Sequence, residues 1–312
     1  MSKVWGGDKL HEYFGKAQGE RVGESWEISG VPQKVSLVSE GHQVGKSLTE
    51  LIEQYGARLV GHRVLRDHGK DFPLLFKFID AREDLSVQLH PDDVIAKKRH
   101  QSLGKTEMWY VVQADPGARL VIGFKPGVTL KQYHQSMVDN TITSLLNEIP
   151  VSAGDAFFIP PGLVHAIGSG VVLAEIQQTS DVTYRIYDWD RPDVNGQMRE
   201  LHIEQAEEAL VFHDLSQVAC TPENRISNQA QLLYASPYFN TSVIEITEPI
   251  TRAFPQTESF VVLMCTKGQL SLTSEGLAPM EMSKGECVLV PAEVAAIDLS
   301  AHDAEILEVF VP

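Results

Sequence analysis

The sequence predicts a mainly β protein: two jelly-roll β-sandwiches with inserted α-helices. Three observations predict it. Short runs of apolar residues, many of them alternating with polar ones, end in glycine and proline clusters along most of the chain. One strand–turn–strand pattern occurs twice: VSAGDAFFIPPGLVHAI at 151–167 returns as MSKGECVLVPAEVAAI at 282–297, with Gly285 for Gly154 and Pro291 for Pro160 at one constant offset. Two copies of one supersecondary unit imply two sandwiches. The length of 312 residues suffices for one large or two modest cores.

The elements follow in order. GESWEISG reads as a strand with Trp26 and Ile28 on one face. SLTELIEQYG has Ser47 as N-cap, Glu50 three residues on and Gly56 as a stop, the pattern of a helix with a capping box. FPLLFKFIDA (72–81) is a continuous apolar strand, and LSVQLH after it places Gln88 and His90 on one side. Pro91-Asp92-Asp93 starts a short helix, and TEMWYVVQA with ARLVIGF forms a hairpin. Residues 127–149 lose strand alternation and show helical spacing through Leu130, Tyr133, Met137, Leu145 and Leu146, so an inserted helical region is expected there. Residues 156–174 carry no fixed charge, but Pro160, Pro161, Gly162, Gly168 and Gly170 would break a membrane helix, so a pair of buried strands is expected. LHIEQAEEALVF (201–212) is amphipathic, and 213–230 is polar with little periodicity. The expected organisation is a first domain over 1–212 with helical insertions at about 44–57, 127–149 and 201–212, a connection at 213–230 and a second domain over 231–312.

Composition narrows the function. Hydrophobic content of 43% and charged content of 22% are those of an ordinary globular chain. The formal charge of −16, from 42 acidic and 26 basic residues, argues against nucleic acid and against an anionic membrane, while leaving room for a small anionic substrate. Lys105, Arg185 and Arg191 could converge on one. Three cysteines, Cys220, Cys265 and Cys287, form no close-spaced pair, and MSKVWGGDKL has no apolar signal region, so a reduced, cytoplasmic protein is expected.

The repeated pattern carries chemistry in its first copy only. Gly154 supplies a turn, Pro160-Pro161-Gly162 reverses the chain, and His165 follows with a fixed Cβ direction. In the second copy Glu293 and Ala296 replace Gly162 and His165. The first copy completes the second motif of the cupins, G-x5-P-x-G-x2-H. Together with VWGG, LSVQLHPDD (85–93), GKTEMWY (104–110) and QQTSDVTYRIYDWDR (177–191), it resembles the type I mannose-6-phosphate isomerases in their short bacterial form, over about residues 4–202.

Gln88, His90, Glu107 and His165 are the candidate metal ligands, in the order that family uses. Each has an ordinary alternative: HPDD is a common helix start, and GKTE can end in a solvated carboxylate. The donors suit one divalent ion, Zn²⁺ first and Fe²⁺, Co²⁺ or Mn²⁺ as rivals, and the lack of cysteine favours an open over a closed site. Gln88 stands where cupins commonly have histidine, and Glu107 lies further from His90 than their acidic ligand does. A second group is Glu175, Asp181, Arg185 and Arg191. By resemblance Arg185 is the catalytic arginine, and Lys105 occupies the position of a lysine near the family's active site. Glu175, on an apolar strand, is a base or a structural acid. The resemblance implies interconversion of mannose-6-phosphate and fructose-6-phosphate through an enediol, with Glu175 or Lys105 as base. A sugar-binding cupin without turnover and a cupin oxygenase are the rival functions; the oxygenase would favour a third histidine.

Overall fold

The computed structural model describes residues 1–16, 19–193, 195–254 and 258–312. The elements run β1 (Ser2–Gly7), α1 (Lys9–Phe14), β2 (Glu24–Ser29), α2 (Leu48–Tyr55), α3 (Ala57–Val60), α4 (His62–His68), β3 (Leu74–Ala81), β4 (Val87–Leu89), α5 (Asp93–His100), β5 (Glu107–Ala114), β6 (Arg119–Phe124), α6 (Leu130–Val138), β7 (Leu146–Pro150), β8 (Ala156–Ile159), β9 (His165–Ile167), β10 (Val171–Gln178), β11 (Tyr184–Tyr187) and α7 (Ile203–Ala209). They continue as β12 (Gln231–Ala235), β13 (Asn240–Ile246), β14 (Ile250–Ala253), β15 (Val261–Lys267), β16 (Gln269–Thr273), β17 (Met280–Ser283), β18 (Cys287–Val290), β19 (Ala296–Ser300) and β20 (Ala304–Phe310).

The strands form two pairs of sheets. In the first pair the orders are β1-β3-β10-β5-β8, with β2 beside β3, and β11-β4-β9-β6-β7. In the second they are β12-β13-β20-β15-β18 and β14-β19-β16-β17. Each pair repeats one alternating antiparallel order, that of a jelly roll. The interior of the first is built from Trp109, Val111, Phe157 and Leu173 of one sheet and Leu120, Ile122 and Ile167 of the other. The second has Ile244, Leu263 and Ile306 with Leu270, Leu272, Ile297 and Leu299. The fold is therefore mainly β, as the alternation and the internal repeat predict. Gly154 and Gly285 both have positive φ, 94° and 88°, so the repeated glycine serves the same turn in both copies.

The chain separates into two compact units: Met1–Leu10, Gln18–Glu24 and Ile79–Ala219 make one, and His11–Ala17, Ser25–Phe78 and Cys220–Pro312 the other. Continuous domains over 1–212 and 231–312 do not describe this division, because 25–78 folds with the C-terminal residues. The reason is local bonding that no periodicity reports. Phe260 N–H donates to Val60 C=O at 3.2 Å and Ala292 N–H to Leu59 C=O at 2.9 Å, which ties α3 to the C-terminal strands. In the other unit, Phe158 N–H donates to Val218 C=O at 2.8 Å, so the expected connection at 213–230 begins within that unit.

Other differences have equally local causes. The capping box at Ser47 and Glu50 forms as expected. The helical region at 127–149 shortens to α6, followed by a 3-10 turn at Ile142–Leu145 and by β7. Asn140 follows α6 with φ of 53°, a left-handed stop, and Leu146 pairs with Phe124 of β6. The uncharged stretch 156–174 holds β8, β9 and the start of β10, three strands where a pair was expected. No described helix is long and apolar enough to cross a membrane.

Candidate metal centre

His165, Gln88 and Arg185 stand in one row across the sheet β11-β4-β9. Gln88 is the cross-strand partner of His165, and Arg185 the cross-strand partner of Gln88. Directly paired residues share a sheet face, so three of the residues singled out in the sequence lie on the same side. Glu107 heads β5 in the other sheet, opposite Ile159 and Gln177. His90 follows the last residue of β4. The turn before β9 needs Gly162, which has φ of 79° and lies so close to α7 that a Cβ would sit 2.5 Å from Ala209 O. Gly162 N–H donates to His90 C=O at 2.8 Å, so the glycine turn fixes the position of both histidines.

His90, Glu107 and His165 are buried, and their ligand atoms lie within 4.8 Å of one another. His90 Nε2 and His165 Nε2 are 3.1 Å apart. His90 Nδ1 is 2.9 Å from Val182 O and His165 Nδ1 is 2.8 Å from Leu163 O. A carbonyl can only accept, so both Nδ1 atoms carry their protons and both Nε2 atoms of the neutral rings present lone pairs. Two lone pairs at that distance repel unless a cation stands between them. Glu107 Oε1 lies 3.3 Å from His90 Nε2, and Glu107 Oε2 3.8 Å from His165 Nε2. Neither carboxylate oxygen receives a well-aligned hydrogen bond, although Lys105 Nζ is at ion-pair distance, 2.8 Å from Oε1. Three acceptors converging in a buried interior, with Lys105 Nζ beside two of them, fit a bound metal ion.

Electrostatics point the same way. Burial, with the Lys105 ammonium adding to it, pushes the His90 imidazole down to about 4, and burial also lowers His165. Burial would raise the Glu107 carboxyl, but Lys105 and the two histidines outweigh it and hold it well below the carboxylate range. Neutral imidazoles and an ionised carboxylate are the ligand forms. A stability prediction follows for the metal-free protein. His90 titrates near 6.5 when unfolded, so between about 6.5 and 4 the unfolded chain binds more protons and stability falls as pH falls. The loss due to His90 is about 3 kcal/mol by pH 4. Urea midpoints measured at pH 7 and 4.5 should show it, and His90→Gln should flatten the difference.

The remaining candidates separate. Lys105 belongs to the cluster: it is buried, and its Nζ is 3.3 Å from His90 Nε2. The Gln88 amide oxygen accepts from Ser86 Oγ at 3.2 Å. Arg185 is half-buried; its Nη1 donates to Glu200 O at 2.8 Å, and its buried Nε has no partner among the described residues. Glu175 is not among the three clustered residues: its Oε2 accepts from Trp109 Nε1 at 3.0 Å. Asp181 is exposed. Arg191 is committed to Glu83, to Asp84 O and to Asp188, where it braces the left-handed turn at Trp189 and Asp190. Trp109 escaped the sequence analysis as a site residue. It stacks edge-on against His165, with ring centroids 5.2 Å apart, while bonding Glu175. Its place two residues after Glu107, on the same strand face, was the available signal.

The double jelly roll and this histidine–carboxylate cluster define a metal-dependent enzyme of the cupin type. Residues 1–117 match the type I phosphomannose isomerase catalytic domain and 229–311 the mannose-6-phosphate isomerase cupin domain. A mannose-6-phosphate isomerase of Streptococcus mutans is 37% identical over 93% of this chain and 89% of its own. One from Bacillus subtilis is 31% identical over 96% of this chain and 93% of its own. The crystal structure of a mannose-6-phosphate isomerase from Bacillus subtilis superposes with a TM-score of 0.84 at 30% identity, covering 99% of this chain and 96% of that one. The chain belongs to the type I mannose-6-phosphate isomerase family.

Proposed function

We propose that the protein interconverts mannose-6-phosphate and fructose-6-phosphate through an enediol, with one divalent ion held by His90, Glu107, His165 and the amide oxygen of Gln88. The observation that carries this is the pair of buried lone pairs 3.1 Å apart beside an ionised carboxylate, in a chain of this family. Imidazole, carboxylate and a neutral amide suit zinc with a position left for substrate. When bound, the ion supplies a Lewis acid for the sugar oxygens.

The chain's own residues do the rest. Isomerisation removes a proton from the carbon beside the carbonyl and returns it to the neighbouring carbon, while negative charge gathers on oxygen. Arg185 keeps its positive charge at any working pH and offers that oxygen pair a planar set of donors. Lys105 carries the proton at Nζ, since that atom is the one in contact with the metal cluster. Glu175 acts through Trp109, to which its carboxylate is bonded. A sugar sensor would have no use for Arg185 in the same row as Gln88, and an oxygenase would favour histidine where Gln88 stands. Cys220, Cys265 and Cys287 are free thiols, which suits a reducing compartment, and we assign the protein to the cytoplasm with a sugar phosphate as partner.

A coupled assay with mannose-6-phosphate tests this. Turnover should vanish with chelator and return with zinc. Activity that survives full metal removal, or no turnover in the metal-loaded protein, would refute it.

A further inference from the structure

β11 is the edge strand of its sheet, so the backbone groups of Arg185 that face away from β4 have no strand to bond. His202 supplies both partners. Arg185 N–H donates to His202 Nδ1 at 3.2 Å, and His202 N–H donates to Arg185 C=O at 2.8 Å. His202 is the N-cap residue of α7, yet its side chain does not cap that helix. It serves β11. The same segment holds the guanidinium, through Glu200 O on Nη1 at 2.8 Å.

We propose that His202 is a positioning residue for the isomerase reaction: its neutral Nδ1 tethers the Arg185 backbone, and its protonation releases that tether. The inference rests on the role proposed for Arg185. An imidazole that accepts an N–H at Nδ1 cannot do so once that nitrogen is protonated. The charged and titratable groups around it are Arg185 and Tyr184 of β11, His100 of α5, and Glu200 on the approach to α7. Burial and the Arg185 charge, aided by His100, keep His202 neutral to lower pH than a free histidine, against the pull of Glu200. Acid therefore loosens β11 only after His202 takes a proton beside Arg185.

Two variants and two readouts test this. His202→Ala removes the acceptor. His202→Asn keeps one, because asparagine Oδ1 takes the place of Nδ1, but cannot titrate. In the metal-loaded enzyme, H202A should lose about ten- to a hundredfold in kcat, the scale on which a misplaced catalytic group costs rate, with metal content unchanged. H202N should recover most of that rate, and its activity should extend to lower pH than that of the parent. Hydrogen exchange at the Arg185 amide should accelerate in H202A and stay slow in H202N. An H202A enzyme with parental kcat, or an H202N enzyme with the parental acid limb, overturns the proposal. If the parent protein shows no isomerase activity, the isomerase function fails, and the exchange arm alone decides the tether: equal exchange in both variants rejects it.

Discussion

Arg185→Ala is expected to leave a folded, metal-binding protein whose kcat has fallen by about a thousandfold, the upper range for losing one donor aimed at a developing oxyanion. The enediol step places charge on sugar oxygen, and a fixed cation beside the bound ion would help to balance it. Lys105 is occupied by Glu107 and His90, at 2.8 and 3.3 Å. Arg185 remains, in the row that runs through Gln88 to His165. Among the described residues its side chain has one hydrogen bond, to Glu200 O, so truncation should cost the fold about 1 kcal/mol. The measurement is kcat with mannose-6-phosphate, alongside metal content and thermal midpoint. Arg185→Lys should recover only part of the rate, because an ammonium restores charge without the planar pair of donors. A kcat near the parental value in Arg185→Ala would remove the arginine from the chemistry.

Much of this site was legible because it is written in short spacings. Gly154, Pro160, Gly162 and His165 frame one short strand and the turn after it, and Gln88 and His90 stand two residues apart at the end of another strand, so backbone geometry alone orders them. What escaped depends on contacts between distant strands. Glu175 and Lys105 stand level as bases in the sequence, and their different surroundings come from strand pairing that spacing does not report. Glu175 lies opposite Trp109, and in the second sandwich Glu308 lies opposite Leu263 at the matching register. There Val261 and Ala296 occupy the places of Glu107 and His165, and Glu308 is bonded by Arg252 at 2.8 and 3.0 Å. A buried carboxylate at this register thus occurs without a metal cluster, and burial alone does not mark it as catalytic. The domain boundary escaped for a similar reason: the bonds from Leu59 and Val60 to Ala292 and Phe260 leave no periodicity to read.

His165→Ala should reduce bound metal from about one ion per chain to near zero, and isomerase activity with it. The ligand cannot be replaced locally. Its neighbours Leu163 and Val164 are apolar, and Trp109 presents a ring edge. The substitution also leaves the ionised Glu107 with Lys105 and one imidazole in a buried hole, which costs stability beyond the lost ring. A binding experiment separates metal loss from simple unfolding. Any ligand that binds only the folded state stabilises it, by about 4 kcal/mol when present at a thousandfold its dissociation constant, and so raises the melting point. Zinc added to the metal-stripped parent should therefore raise Tm by several degrees, and zinc added to His165→Ala should not. Should the variant keep a stoichiometric ion by elemental analysis, the paired lone pairs of His90 and His165 would not be the site that holds it.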